Sequence, residues 1–245
     1  MRRSDLTLCL ITDEVSASLD EGLAFAQAEG IGTVDLRLVD GRNVLALSRR
    51  ELTGAAQRVR AAGLSVSCIC TPLLKWSPQG KTSQDKGDQF GFELGDRSPS
   101  TVYAQAFEAA EALGARNLRI FSYLAYDGYR VDDLRDPIDE LLVLAEKFDM
   151  KLHIENEGVC NIAGFAELEA LVTAYRASGR CPTSPMRIAA TCRRRPPIWR
   201  NCCPSPTFYT SRTTPMQSGA SSPSARATSR SQPCWRQRCP HTRRH

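Results

Sequence analysis

Lys151-Leu152-His153-Ile154-Glu155-Asn156-Glu157 is the stretch that decides the fold. Leu152 and Ile154 alternate with Lys151, His153 and Glu155, so a strand here turns one apolar and one polar face outward. The same alternation recurs upstream. Val34 and Leu36 oppose Asp35 and Arg37, and Leu118 and Ile120 oppose Arg119, Phe121 and Tyr123. An open parallel sheet carries helices on both faces and is apolar on both. A polar face on several strands, heaviest toward their carboxyl ends, instead suits the lumen of a closed barrel with a site at its C-terminal mouth.

Working outward, one pattern repeats: a short apolar strand, an amphipathic helix, a glycine, then another strand. Strands are expected at 6–12, 33–38, 64–70, 117–123 and 151–155. Ser18-Leu19-Asp20-Glu21 and Ser48-Arg49-Arg50-Glu51 have capping-box spacing and open two helices, with Leu19, Leu23, Ala24 and Ala26 on the apolar side of the first. Further helices are expected at about 101–113, 132–148 and 165–178, with Gly30, Gly63 and Gly114 as stops. The stretch 71–99 reads as a long loop. Five βα units with few hairpin signals predict parallel strands joined by right-handed crossovers. No G-x-G-x-x-G follows the first strand, which argues against a dinucleotide-binding sheet. The expected class is therefore α/β, a (β/α)8 TIM barrel that is incomplete, with about five units legible.

Composition divides the chain of 245 residues into two unlike parts. Residues 1–179 carry 19 Lys and Arg against all 27 Asp and Glu, a net of −8. Residues 180–245 carry 13 Arg and no Lys, Asp or Glu, a net of +13, with 10 of the 14 Pro, 6 of the 10 Cys, and no Leu or Val. The overall +5 describes neither part. No signal peptide or spanning segment is read, so a soluble cytoplasmic protein with no membrane partner is expected. Cys9, Cys68, Cys70 and Cys160 have neither zinc nor redox spacing and read as buried structural thiols.

With these stretches the chain resembles the xylose-isomerase-like TIM-barrel superfamily, which holds the sugar phosphate isomerases and epimerases and endonuclease IV. The carrying residues are Thr33-Val-Asp-Leu-Arg37, Asn117-Leu-Arg-Ile-Phe121 and Leu152-His-Ile-Glu-Asn-Glu157, within residues 5–178. The resemblance implies a divalent metal, Mg²⁺, Mn²⁺, Co²⁺ or Zn²⁺, that polarises an open-chain sugar while carboxylates move a proton between adjacent carbons. It makes Glu155 both a metal ligand and a catalytic carboxylate. The other implied ligands are an Asp on the sixth strand, a His in His-x-Lys-Asp and a Glu in Gly-Glu-Gly-Asp. None of these stands in residues 180–245.

Residues 180–245 lack any strand or helix period and too few are apolar to fold, so they are expected to be disordered. We read them as out-of-frame translation. Joining the last base of each codon to the first two of the next forces Leu at Asn201/Cys202, Cys202/Cys203 and Cys234/Trp235. It permits His-Ile-Lys-Asp from Tyr209 onward and Ile-Gly-Glu-Gly-Asp-Ile across Pro223 to Ser229. The expected shift lies near 176–185. Domains are accordingly expected at 1–179, a truncated barrel, and 180–245, an aberrant tail.

The candidate substrate-binding residues are Arg37, Arg119, His153, Asn156 and Glu157, each with a plainer alternative. Arg37, oriented by Asp13 or Asp35, holds a phosphate or a hydroxyl of a sugar or forms an internal ion pair, and Arg119 has the same two roles. His153 contacts substrate or packs in the lumen. Asn156 and Glu157 contact substrate or lie in a solvated turn, and Glu155 itself is alternatively a surface carboxylate. Tyr123 and Trp76 flank the pocket or belong to an exposed loop. The expected activity is a metal-dependent isomerase or epimerase of a small sugar or sugar phosphate, impaired in this chain by missing ligands. One alternative is an endonuclease IV-like abasic-site hydrolase, disfavoured because His153 is the one histidine before residue 180. Another is a non-catalytic scaffold whose basic tail binds nucleic acid, disfavoured by sparse aromatics and absent lysine in that tail. Oligomeric state is not legible.

Overall fold

A computed structural model describes residues 7–177. The expected tail, 180–245, lies outside the described residues. In chain order the elements are β1 (Cys9–Ile11), α1 (Leu19–Ala28), β2 (Thr33–Leu36), β3 (Leu38–Val39), β4 (Arg42–Asn43), α2 (Arg49–Ala61), β5 (Ser65–Cys70), α3 (Pro99–Leu113), β6 (Asn117–Ile120), α4 (Arg135–Lys147), β7 (Lys151–Ile154) and α5 (Phe165–Ala177).

The main sheet has the order β1-β2-β5-β6-β7. Its neighbours pair in parallel. Each pairing joins strands consecutive along the sheet, so right-handed crossovers set the helices on one face. This is the expected barrel-type arrangement, five βα units long among the described residues. Val34, Leu36, Ile69, Leu118, Ile120, Leu152 and Ile154 are buried in the core with helix residues such as Leu23, Val59, Phe107 and Leu141. The other face holds Asp35, Cys68, Arg119 and His153, all buried. Pairing confirms the parity, because Asp35 sits opposite Cys68 and Arg119 opposite both Cys70 and His153. A register shift between Val34 and Asp35 leaves Ser67 as the extra residue of β5.

The helix starts follow the sequence. Ser48 and Glu51 form a complete capping box, with Ser48 N donating to Glu51 Oε2 at 2.7 Å and Glu51 N to Ser48 Oγ at 3.3 Å. At α1 only half of the box forms: Ser18 caps Glu21 N, while the Glu21 carboxylate accepts from Ser16. Ala24 is exposed, and Gly22 takes its expected place on the buried side. A Cβ on Gly22 would lie 2.9 Å from the Thr12 carbonyl oxygen, so glycine lets α1 press against the turn after β1. Pro99 extends α3 two residues earlier than expected, with Ser98 as cap. A 3₁₀ turn, Val131–Leu134, precedes α4, which therefore starts later than expected.

Two expectations on strands are corrected. The second strand ends at Leu36, and β3 and β4 then form a small antiparallel hairpin. Its turn is Asp40-Gly41, both at positive φ, a hairpin signal that stood in the sequence. The fourth strand ends at Ile120 rather than 123, because Tyr123 takes φ 61° and the chain leaves the sheet.

Candidate functional site

Beyond the carboxyl ends of β5, β6 and β7 the chain runs as three adjoining segments. Phe121 N donates to Leu73 O at 2.9 Å, Leu124 N to Trp76 O at 3.2 Å and Ala125 N to Val159 O at 2.9 Å. The Asn161 amide joins two of the segments, donating to Ser122 O at 3.0 Å and Leu124 O at 3.2 Å. The start of the expected loop at 71 is therefore buried structure: Thr71, Leu73, Leu74, Lys75 and Trp76 are all buried. Trp76 stacks against Tyr103 with ring centroids 6.4 Å apart, and Tyr123 is buried. Both serve as packing beneath the mouth, so the exposed-loop alternative does not hold for them.

Three cation–carboxylate pairs gather at this end of the sheet. Arg37 Nε lies 2.8 Å from Asp13 Oδ2, Arg119 lies 2.5 Å from Glu155 Oε2, and Lys75 Nζ lies 2.9 Å from Glu157 Oε2. Aromatic rings separate the cations. Arg37 lies over Phe90 at 3.9 Å, Lys75 faces Phe90 at 5.2 Å and Phe121 at 4.6 Å, and Arg119 faces Phe121 at 4.4 Å. The order Arg37, Phe90, Lys75, Phe121, Arg119 thus alternates charge and ring across the mouth. Glu14 joins from the turn after β1, 3.8 Å from Arg37. Burial pushes the Glu14 carboxyl up, against the pull of Arg37, and the nearby charges of Asp13 and Glu155 push the same way.

The sequence candidates separate into groups. Arg37, Arg119, Glu155 and Glu157 stand at the mouth, each in one of the pairs above. Glu155 lies one residue past β7 and extends its ladder, with Glu155 N donating to Ile120 O at 2.9 Å. Arg119 also donates to Thr71 O at 3.3 Å, while its Nε has no partner among the described residues. Asn156 donates to Ala163 O at 3.2 Å, and its Oδ1 is buried without a partner among the described residues. His153 lies deeper, buried in the lumen, with Nε2 at 2.9 Å from Asn117 Oδ1. Sequence reasoning missed Lys75, Glu14 and Phe90. Each reaches the mouth from a turn or loop, where no alternation marks inward residues.

Phe90 is held in place. The Asn43 amide of β4 donates to Gln89 O at 3.4 Å and Phe90 O at 3.2 Å, and Phe90 adopts φ 55°. The hairpin of β3 and β4 therefore carries the residue that fixes the tip of the loop over the mouth.

Below the mouth, the Cys9 thiol donates to Asp35 Oδ1 at 3.1 Å, and Asp35 Oδ2 has no partner among the described residues. Burial pushes the Asp35 carboxyl up to about 7, though the bonds from Cys9 and the Cys68 backbone oppose it. Burial likewise raises the thiols of Cys9, Cys68 and Cys160. All four cysteines before residue 178 are free, which fits unreactive packing thiols.

A metal centre is the group the sequence resemblance implies. Among the described residues no three of His, Cys, Asp and Glu form a group that could hold a metal ion. Glu155 belongs to no such group and bonds Arg119, so the described residues do not fit a metal centre on their own.

With this geometry established, solved structures give the class. A xylose isomerase-like TIM barrel/4-hydroxyphenylpyruvate dioxygenase fusion protein matches with a TM-score of 0.52 at 14% identity, over 76% of this chain and 26% of that one. A xylose isomerase domain protein from Planctomyces limnophilus matches at 0.51 and 14% identity, over 78% and 64%. A xylose isomerase domain containing protein from Salmonella typhimurium LT2 matches at 0.50 and 16% identity, over 75% and 60%. The chain has the fold of the xylose isomerase-like TIM barrels, and at these identities the likeness is one of fold. It spans less than two thirds of the length of each of these structures. No protein-family description matches the chain. No curated protein matches it.

Proposed function

We propose that residues 7–177 carry the sugar-contacting wall of a metal-dependent isomerase or epimerase of a small sugar, and that this chain does not turn the sugar over. The observation that carries the reading is the position of Glu155 at the carboxyl end of β7, within a ring of charged pairs at the same end of the sheet. Charged pairs with spare lone pairs and N–H groups suit the hydroxyls of a sugar, because each hydroxyl both donates and accepts. In this reading Arg119, paired with Glu155, orients its carboxylate, and that carboxylate takes and returns the proton. Turnover fails in this reading because Glu155 is one of four implied ligands and residues 180–245 supply none of the others. Among the described residues no helix is long and apolar enough to cross a membrane. The setting we propose is cytoplasmic, supported by the free thiols of the described cysteines.

The test is interconversion of small aldoses and ketoses by this 245-residue chain, with Mg²⁺, Mn²⁺, Co²⁺ or Zn²⁺ added in turn. No metal-dependent turnover is expected; turnover would overturn the impairment. The nucleotide sequence across codons 170–190 tests its cause. A chain with the frame restored is expected to turn sugar over, and an inactive restored chain would overturn the assignment.

A further inference from the structure

We propose that the mouth selects a neutral sugar or polyol over its phosphorylated or carboxylated counterpart. This rests on the reading of the mouth as a sugar site and names the substrate class. Among the described residues the three cations gathered at the mouth each hold a carboxylate: Arg37 has Asp13 at 2.8 Å, Lys75 has Glu157 at 2.9 Å and Arg119 has Glu155 at 2.5 Å. Glu14, 3.8 Å from Arg37, is a fourth acid to three bases. An anionic group entering here must displace a carboxylate from its cation, or remain as an added negative charge in a poorly solvated place.

Exposure sharpens the point. The side chains of Lys75 and Arg119 are 2% and 11% exposed, while their partners Glu157 and Glu155 are 34% and 20% exposed. An incoming molecule therefore meets carboxylate oxygens before it meets ammonium or guanidinium. Those oxygens accept hydrogen bonds, which hydroxyls donate and an ionised phosphate does not. Arg119 Nε and Asn156 Oδ1 add a donor and an acceptor, both buried and unpartnered among the described residues. The half-buried Phe90 ring supplies apolar surface for carbon-bound hydrogens.

The test is calorimetric titration of the full chain with matched pairs: D-ribulose and its 5-phosphate, D-fructose and its 6-phosphate, myo-inositol and its 1-phosphate. The expected result is binding of at least one neutral member, with its phosphate about tenfold weaker or worse. A phosphate that binds as tightly as its parent overturns the substrate class and leaves the sugar site standing. Failure of every member to bind overturns both. Glu157→Gln and Asp13→Asn uncover Lys75 and Arg37 in turn. In whichever variant keeps its circular dichroism spectrum, the phosphate is expected to tighten by about fivefold relative to its parent. An unchanged ratio refutes the charge argument, and if neither variant folds the native comparison decides.

Discussion

The pair of Lys75 and Glu157 is unequal, and the inequality can be measured. Lys75 is 2% exposed, whereas Glu157 is 34% exposed. Glu157→Gln leaves an ammonium buried between Phe90 and Phe121 with no counter-charge. Breaking a buried pair in this way costs about 3–5 kcal/mol. Lys75→Met removes the charge from the buried side, keeps the stem volume and its contact with both rings, and leaves Glu157 to water. That exchange should cost less than about 1.5 kcal/mol. For a domain of this size, each kcal/mol moves Tm by roughly 2–4 °C, so Glu157→Gln should lower Tm by roughly 6–20 °C. Lys75→Met should lower it by no more than roughly 6 °C. Thermal unfolding followed by circular dichroism at neutral pH reads both. The double variant should lie near Lys75→Met, because the buried charge is gone. Equal losses from the two single variants, or a greater loss from Lys75→Met, would refute the reasoning.

Three further expectations follow from the geometry. Asp35, raised to about 7 by burial, is neutral in the folded state at pH values where the unfolded chain has ionised it. Its penalty is absent below about pH 4, grows to roughly 4 kcal/mol by about pH 7 and then levels off. Asp35→Asn should therefore stabilise the protein at about pH 8 and leave it unchanged at about pH 4, as read by urea unfolding at both; equal effects would sink the assignment. Gly54→Ala, with nothing within 4 Å of the new Cβ, should stabilise α2 by about 0.5–1 kcal/mol, whereas Gly22→Ala should destabilise because its Cβ meets the Thr12 backbone at 2.9 Å. Denaturant midpoints moving the same way in both would contradict the close packing of α1. Asn43→Ala should open the loop tip to limited proteolysis at residues 86–91 at a stability cost of about 2 kcal/mol, and unchanged cleavage there would exclude the latch.

The parts of the fold legible in the sequence are those governed by local rules. Period-two alternation placed Asp35, Arg119 and His153 on the lumen face, and pairing bears this out. Ser48 and Glu51 announced α2 through a box that forms in full. The site was only half legible. Arg37 and Arg119 extend strand alternation to the mouth, so parity found them, and Glu155 was named by the resemblance of the 152–157 stretch. Lys75 and Phe90 are held by bonds between distant segments, such as Phe121 N to Leu73 O and the Asn43 side-chain amide to Phe90 O, and Glu14 comes from the turn after β1; none of these leaves a periodic trace. The Asp40-Gly41 turn was visible as a dipeptide, but its purpose, presenting Asn43 to a loop 46 residues away, was not.

The attachment of the 71–98 segment by Asn43 has a consequence for how this protein can vary. A tether at 89–90 divides one long excursion into a longer and a shorter part, and each then bears its own length constraint. Residues 84–86 are exposed, and added residues there only lengthen an unattached span, at an entropic cost that grows slowly with length. Residues 87–92 lie between Lys75, Asn43 and the buried Phe92, so a single inserted residue would draw Phe90 away from Arg37. Length variation among descendants of this sequence should therefore collect on the first side of the tether and stop at Gly87, where a Cβ would already lie 3.0 Å from Leu124.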